Sequence, residues 1–141
     1  MKISLSSIKK IVKDLYSIEG TLSVLPGEID FNYKLETNEG LSFVLKIAPS
    51  NCNIEYLEFQ QDILQYLDQQ STQKELPKIV LNNEGKEFSF FKDQNGDLRV
   101  VRLLSWVYGR IWSAVNPKTD YLRHSMGEKA GSLTKDLQNY E

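Results

Sequence analysis

The chain has 141 residues, of which 40% are hydrophobic and 26% are charged. A chain of this length buries about 68 to 70% of its unfolded surface, enough for one domain with a core, and this composition excludes disordered and low-complexity proteins. Seventeen Lys and Arg against nineteen Asp and Glu give a net charge of -2, and because the basic residues are scattered, nucleic acid is a poor partner.

The cysteine count and the N-terminal composition favour a cytoplasmic protein. Cys52 has no second cysteine with which to form an internal disulfide, and a lone thiol is typical of a reducing compartment. Charged residues interrupt the N-terminal region, so it lacks the apolar stretch of a signal peptide, and no segment is long enough to span a bilayer. We therefore expect a soluble chain with no membrane partner.

The first element, within residues 1–19, is predicted to be an amphipathic helix. Its apolar residues recur at spacings of three and four and are Leu5, Ile8, Ile11, Val12, Leu15 and Ile18. Ser4, Ser6 and Ser7 offer choices for the N-cap, and Gly20 is predicted to end the helix. Packing on the chain's own sheet explains the apolar stripe more simply than the alternative for a basic helix, which is binding to a membrane surface.

Short β-rich runs follow and predict one antiparallel sheet. They are Thr21–Leu25, Phe31–Thr37, Leu41–Ile47, Lys78–Leu81, Phe88–Phe91 and Leu98–Val107. A helix over residues 53–69 is inserted after the third run, with Asn51 or Asn53 as its N-cap. We expect a single α+β domain over residues 1–141, with a five-stranded antiparallel sheet, the inserted helix, and helices at both ends.

Residues 109–141 are predicted to leave the sheet and to finish as a helix with an apolar face. Asn116-Pro117 favours the start of this helix. Its apolar positions are Tyr121, Leu122, Met126, Ala130, Leu133, Leu137 and Tyr140. No glycine cap follows, so we expect this face to be covered by a further part of a longer protein or by a partner.

The third β-rich run ends with a lysine that suggests phosphate handling. Alternation along the strand puts Ser42, Val44 and Lys46 on one face and Phe43, Leu45 and Ile47 on the other. An ammonium group binds phosphate oxygens, and an apolar side chain two positions earlier can lie flat against a base. In the next helix Gln60 shares an apolar stripe with leucines, and a polar side chain in such a stripe needs a partner.

Four segments, together with the order of the elements, give the chain a family resemblance. They are Gly27-Glu28-x-Asp30-x-Asn32-Tyr33, Phe43-Val44-Leu45-Lys46, Leu76-Pro77 and Arg102-Leu103-Leu104-Ser105-Trp106-Val107-Tyr108-Gly109. They resemble the N-terminal, ATP-binding lobe of the aminoglycoside phosphotransferase and choline kinase family. The similarity is greatest to the hydroxylysine-kinase-like branch, which also occurs fused to class III aminotransferases. It implies a protein-kinase-like N-lobe over residues 20–108.

The resemblance implies that ATP phosphates are bound by the loop and the strand lysine. The loop from Gly27 to Asn32, with Asp30, would cover the phosphates, and Lys46 would bind the α and β phosphates. Kinases of this shape usually anchor that lysine with a helix glutamate, whose place is taken here by Gln60. Gln60 would accept one hydrogen bond from Lys46 without supplying a countercharge.

The resemblance also implies a place for the adenine base. Val24 and Val44 would sandwich the ring. Ser105, Trp106 and Val107 would belong to the hinge, whose backbone would meet the edge of the base.

The implied function is that of the nucleotide-binding lobe of a small-molecule phosphotransferase with ATP as its cofactor. The family's His-Gly-Asp catalytic loop and its metal-binding Asp belong to a second lobe and do not occur in this sequence. No catalytic residue or metal ligand is therefore assigned, Mg²⁺ would bind only with that lobe, and the chain alone is expected to be inactive. The expected partner is this missing lobe or a fused aminotransferase domain. The alternatives are a non-catalytic interaction or regulatory module and a module that forms a homodimer through its last helix.

Overall fold

A computed structural model describes residues 3–70 and 76–140 of the chain. In chain order the elements are α1 Leu5–Tyr16, β1 Thr21–Leu25, β2 Phe31–Glu36, β3 Ser42–Ile47, α2 Ile54–Gln70, β4 Ile79–Val80, β5 Ser89–Lys92, β6 Leu98–Ser105, a 3-10 turn Trp112–Ala114 and α3 Asp120–Leu137. Within these described residues, no helix has the length and apolar character needed to cross a bilayer.

The strands form one antiparallel sheet in the order β1-β2-β3-β6-β4, and β5 also pairs with β6. The described residues contribute six strands, one more than the five predicted, because the short β4 and β5 both pair with the eight-residue β6. The predicted α+β class, with an inserted helix after the third strand and helices at both ends, is confirmed.

Helix α1 has a serine at each end. The side chain of Ser4 caps its N-terminus, as predicted. The helix ends at Tyr16 rather than at Gly20, because Ser17 takes a left-handed conformation with φ of 55°. Gly20 is needed for another reason: a Cβ at this position would overlap the backbone carbonyl of Glu36, so glycine allows β1 to start close to the end of β2.

The main core lies between α1 and one face of the sheet. Its buried residues are Ile8, Val12 and Tyr16 of α1 and Leu22, Tyr33, Leu35, Leu45, Ile47, Val101 and Leu103 of the strands. The apolar stripe of α1 therefore packs on the chain's own sheet, as predicted. Burial in this core raises the pKa of the Tyr16 and Tyr33 hydroxyls, because it disfavours the charged phenolate.

Helix α2 packs on the opposite face of the sheet. Leu57 belongs there to a smaller core cluster with Ala48 and Val100. Gln60 was predicted to lie in the buried stripe of this helix, but it is only partly buried, and Gln61 is the polar residue that is 1% exposed. The two glutamines lie on either side of the centre of the apolar stripe, and only Gln61 is fully covered.

The apolar face predicted for α3 is exposed only in part. Just after its last turn, the Tyr140 ring packs edge-on against the rings of Phe59 and Tyr66 in α2, at centroid distances of 6.0 and 5.1 Å. No residue of α3 itself is buried, and Tyr121 and Met126 are exposed. The residue that follows α3 therefore contacts α2, while α3 itself stays at least partly exposed along its length.

Candidate functional site

Lys46 lies at the end of β3 on the face of the sheet opposite α1. Its Cα partners are Asn32 in β2 and Arg102 in β6, and cross-strand partners project to the same face. The Lys46 ammonium lies 3.1 Å from Asn32 Oδ1 and 3.2 Å from Oδ2 of Asp30. Since 25% of its side chain is exposed, Lys46 has protein partners on one side and remains partly accessible.

The loop between β1 and β2 is closed near this lysine by Asn32 and Gly27. Asn32 Nδ2 donates a hydrogen bond of 3.1 Å to the Pro26 carbonyl, while Asn32 Oδ1 accepts one from Lys46. A Cβ at Gly27 would overlap the Asn32 amide group and the backbone carbonyl oxygen of Asp30. Glycine is required here because the chain approaches itself closely.

Arg102 joins the loop to α2. Its buried guanidinium donates from Nη1 to Gln60 Oε1 at 2.8 Å and from Nη2 to the Asp30 carboxylate at 2.9 Å. The prediction that Gln60 accepts a hydrogen bond from Lys46 is therefore wrong. The planar guanidinium carries five N–H groups and can bind acceptors on two elements at once, whereas the Lys46 ammonium is held by Asp30 and Asn32.

No role was predicted for Arg102, although it begins the segment 102–109 that contributes to the family resemblance. The available signal was a charged residue in the middle of an apolar strand, between Val101 and Leu103. A charge that is 2% exposed needs a partner, and alternation places Arg102 on the face that carries Lys46.

A cavity of about 570 Å³ lies between the loop, β3 and the first turns of α2. Lining residues that were predicted for the site are Asp30, Asn32, Lys46 and Gln60. Among the described lining residues Lys46 is the cation, and Asp30 and the exposed Glu28 carry negative charges. Arg102 does not line the cavity but binds the Asp30 carboxylate, which offsets part of this negative charge. Among the described residues, no three His, Cys, Asp or Glu side chains are grouped as metal ligands would be.

The sequence pattern of the phosphotransferase enzyme family, APH, matches residues 21–141. The chain belongs to this family. Its fold is similar to that of an amicoumacin kinase in complex with AMP-PNP, Ca²⁺ and Ami, with a TM-score of 0.81 and 21% identity over 99% of this chain and 41% of that chain. It is also similar to a microcompartment-associated aminopropanol kinase, with a TM-score of 0.63 and 19% identity over 77% of this chain and 33% of that chain. No curated protein matches the chain in sequence.

The chain thus spans less than half the length of these two kinases. At these identities the likeness shows a shared kinase-like fold. It agrees with the resemblance to phosphotransferases that the sequence motifs indicated.

Within this phosphotransferase fold, Val24 and Val44 lie on opposite faces of the sheet, so the predicted sandwich of a base between them is wrong. Val24 is the Cα partner of Tyr33, which belongs to the core beneath α1. Val24 itself is 70% exposed. Val44 lies two positions before Lys46 and therefore on the other face. The neighbouring residue Leu25 occupies that face in β1, because side chains alternate along a strand.

The predicted hinge residues lie where the chain leaves β6. The N–H of Ser105 donates to the Lys78 carbonyl, and the N–H of Trp106 donates to the Ser42 carbonyl. Both groups are therefore already used. Val107 is exposed, and within the described residues its N–H forms no hydrogen bond. Of the three predicted residues, Val107 is the one whose backbone donor is available to a ligand.

Lys34, which was not predicted as a site residue, borders the surface predicted for the base. Lys34 is the Cα partner of Val44, and its ammonium lies 5.0 Å from the ring centroid of Trp106 and 2.6 Å from the Glu36 carboxylate. Such a contact is a cation–π interaction. Trp106 therefore contributes its ring to this face of the sheet in addition to its backbone.

Proposed function

We propose that this chain is the nucleotide-binding lobe of a small-molecule phosphotransferase and that ATP binds beside Lys46. The observation that carries the proposal is the position of the Lys46 ammonium, held by Asn32 and Asp30 at the wall of a cavity. A lysine at the end of a strand, beneath a loop closed by glycine, binds phosphate oxygens through charge-assisted hydrogen bonds.

The base of the nucleotide would lie on the same face of the sheet, away from Asp30. Val44 and Leu25 lie on the Lys46 face and offer apolar surface to a purine ring. The available N–H of Val107 offers a donor to the edge of that ring. We therefore keep Val44 and Val107 as proposed nucleotide contacts and replace Val24 by Leu25.

The groups that transfer the phosphoryl group are proposed to come from a second lobe. The chain covers 41% and 33% of the two similar kinases, and its sequence contains no His-Gly-Asp motif. Phosphoryl transfer needs carboxylates that hold Mg²⁺ and a group that positions the acceptor. We expect the chain alone to bind ATP without transferring its phosphate, and Mg²⁺ to be held fully only with the second lobe.

The acceptor is proposed to be a small molecule. The two similar structures are named as kinases of amicoumacin and of aminopropanol, which supports this class. Within the family we propose the hydroxylysine-kinase-like branch, because Gln60 stands in the place of the usual glutamate and segment 102–109 resembles that branch. A fused class III aminotransferase domain and a cytoplasmic location belong to the same proposal.

Isothermal titration of the full chain with AMP-PNP and Mg²⁺ tests the nucleotide proposal. Binding in the millimolar range or tighter is expected, with a large loss of affinity in Lys46→Ala. Lys92→Ala, which changes an exposed lysine at the end of β5, is the matched control and should bind as the wild type does. A folded wild-type chain that gives no binding heat would refute the proposal and favour the interaction module.

A second candidate function is assembly of two copies through α3. It is favoured by the exposure of Tyr121 and Met126 on a helix without a buried residue. Sedimentation velocity over a range of concentrations should then show a dimer that Met126→Glu weakens. A chain that sediments as a monomer at every concentration would exclude this function.

A further inference from the structure

A series of polar contacts connects the elements around the candidate site. In order, the participating residues are Pro26, Asn32, Lys46, Asp30, Arg102 and Gln60. The distances between successive polar atoms run from 2.8 to 3.2 Å. The contacts therefore join the loop, β2, β3, β6 and α2 into one network, with a buried arginine between the loop and the helix.

One oxygen atom in this network is shared by two cations. Asp30 Oδ2 lies 2.9 Å from Nη2 of Arg102 and 3.2 Å from Nζ of Lys46. The Arg102 side chain is 3% exposed, against 25% for Lys46. A guanidinium cannot lose its proton, and a buried charge without a countercharge is strongly destabilising. The buried Arg102 therefore depends on Asp30 as its countercharge, whereas the partly exposed Lys46 depends on it less.

We propose that Arg102 is a positioning residue that keeps Lys46 available to an anionic ligand. By binding Asp30, Arg102 prevents this carboxylate from pairing fully with Lys46. The inference rests on the proposed function for the identity of the ligand, the phosphates of a nucleotide. Arg102 acts through Asp30 and need not touch that ligand.

Gln60 completes this arrangement because it is neutral. It satisfies Nη1 of Arg102 through a carbonyl oxygen and leaves the positive charge of the guanidinium to Asp30. A carboxylate at this position would compete for Arg102 and release Asp30 to Lys46. A glutamine at position 60 therefore fits a site in which the arginine, rather than the lysine, is bound to α2.

The charges of three side chains give the expected order of affinities. Lys46, Arg102 and Asp30 together carry +1 in the wild type, and Arg102→Met lowers this sum to zero. The double variant Arg102→Met with Asp30→Asn restores it to +1, with Lys46 unpaired. Replacing Arg102 alone should weaken anion binding about tenfold, and the double variant should return to at least the wild-type affinity.

The experiment measures the affinity of the full chain for AMP-PNP with Mg²⁺ and, separately, for inorganic tripolyphosphate. Calorimetry gives both affinities, and circular dichroism shows that each variant is folded. Arg102→Gln is a second replacement, which keeps a polar side chain in the event that methionine does not support folding. A role confined to stability would not produce recovery of affinity on adding Asp30→Asn.

Arg99 provides the matched control on the same strand. It is 7% exposed and is paired with Asp93 at 2.7 Å, but its position in β6 places it on the opposite face from Arg102. Arg99→Met, alone and with Asp93→Asn, should lower the stability of the chain and leave both affinities unchanged.

The outcomes separate this inference from the proposed function. If the wild type binds AMP-PNP and the folded arginine variants bind it equally well, or if Asp30→Asn restores nothing, the role of Arg102 is overturned and the nucleotide site stands. If tripolyphosphate follows the expected order while AMP-PNP does not bind the wild type, the role of Arg102 stands and the nucleotide function is overturned. If neither ligand binds the wild type, both are overturned.

Discussion

Asp30 and Arg102 are 72 positions apart in the sequence, and their side chains form an ion pair of 2.9 Å. The pair is possible because β2, β3 and β6 are successive neighbours in the sheet. Lys46 is the Cα partner of Arg102 and of Asn32, and it contacts the same carboxylate oxygen of Asp30. The charge of the candidate site is therefore set jointly by β3, β6 and the loop that precedes β2.

Replacing Gly27 is expected to damage the site. In Gly27→Ala the new Cβ would meet the Asn32 amide and the Asp30 carbonyl, so the loop must shift and Asn32 must lose its contacts. We expect AMP-PNP affinity to fall about tenfold, as a strain of 1 to 3 kcal/mol implies. Calorimetry measures this loss. Gly127→Ala is the control: apart from its chain neighbours and the nearby backbone of its own helix, no atom lies within 4 Å of the added Cβ. This change should raise the free energy of unfolding by about 1 kcal/mol and leave affinity unchanged.

The strand register makes opposite predictions for two adjacent residues. Leu25→Ala should weaken AMP-PNP binding about fivefold, because Leu25 lies on the Lys46 face and would lose apolar contact with the base. Val24→Ala, on the other face, should bind like the wild type. Calorimetric titration of both variants checks this, and a larger loss for Val24→Ala would show that the β1 register is not the one used in the nucleotide complex.

Gln61 is expected to reduce the stability of the chain. It is 1% exposed, and neither polar atom of its side chain has a hydrogen-bond partner among the described residues. Gln61→Met keeps a long unbranched side chain and removes the unpaired polar group, so the free energy of unfolding should rise by about 1 to 3 kcal/mol. Urea denaturation measures the change, and Gln69→Met on the exposed side of α2 is the control. A decrease in stability would contradict this account of Gln61.

Acid should remove the stabilisation given by Asp93. Burial alone would raise the pKa of this carboxyl, but hydrogen bonds from Arg99 and from the backbone N–H groups of Asn95 and Asp97 outweigh it and hold the pKa below its usual 3.8. A folded-state pKa that is depressed gives stability that is complete above the unfolded value and is lost as pH falls through the folded value. The difference in unfolding free energy between the wild type and Asp93→Asn should therefore be largest at neutral pH and shrink below about pH 4.

Urea titrations of both proteins at several pH values measure this difference. The double variant Asp93→Asn with Arg99→Met lacks the ion pair. Its unfolding free energy should therefore lack the decrease in acid that Asp93 causes in the wild type. A difference between the wild type and Asp93→Asn that stays constant into strong acid would show that the Asp93 contacts do not stabilise its charged form.

The sequence predicted the structure best where the spacing of residues within one helix or strand decides which side of that element is buried. The stripe of α1 predicted the side that packs on the sheet, and alternation in β3 predicted that Lys46 and Val44 share a face. Two predictions about the site were wrong. Val24 was predicted to contact the base, but Leu25 is the residue of β1 that lies on the Lys46 face. Gln60 was predicted to bind Lys46, but it accepts a hydrogen bond from Arg102.

The two errors have different physical origins. A one-residue choice in a strand reverses the face on which a side chain lies, and both valine and leucine suit an apolar contact. A hydrogen-bond partner on another element depends on which strands are neighbours and on the length of each side chain. Arg102 is adjacent to Lys46 only because β6 inserts beside β3 after more than fifty intervening residues of chain.

By itself, the sequence determined the α+β class, the face of β3 that Lys46 shares with Val44, and the resemblance to the phosphotransferase family, because these depend on residue periodicity and on contiguous motifs. Only the tertiary structure decided which partner each charge has: Asp30 binds both Arg102 and Lys46, and Gln60 binds Arg102. The reason is that pairing between buried charges is fixed by distances of about 3 Å, which arise when separate strands and a helix come together and which no local pattern contains.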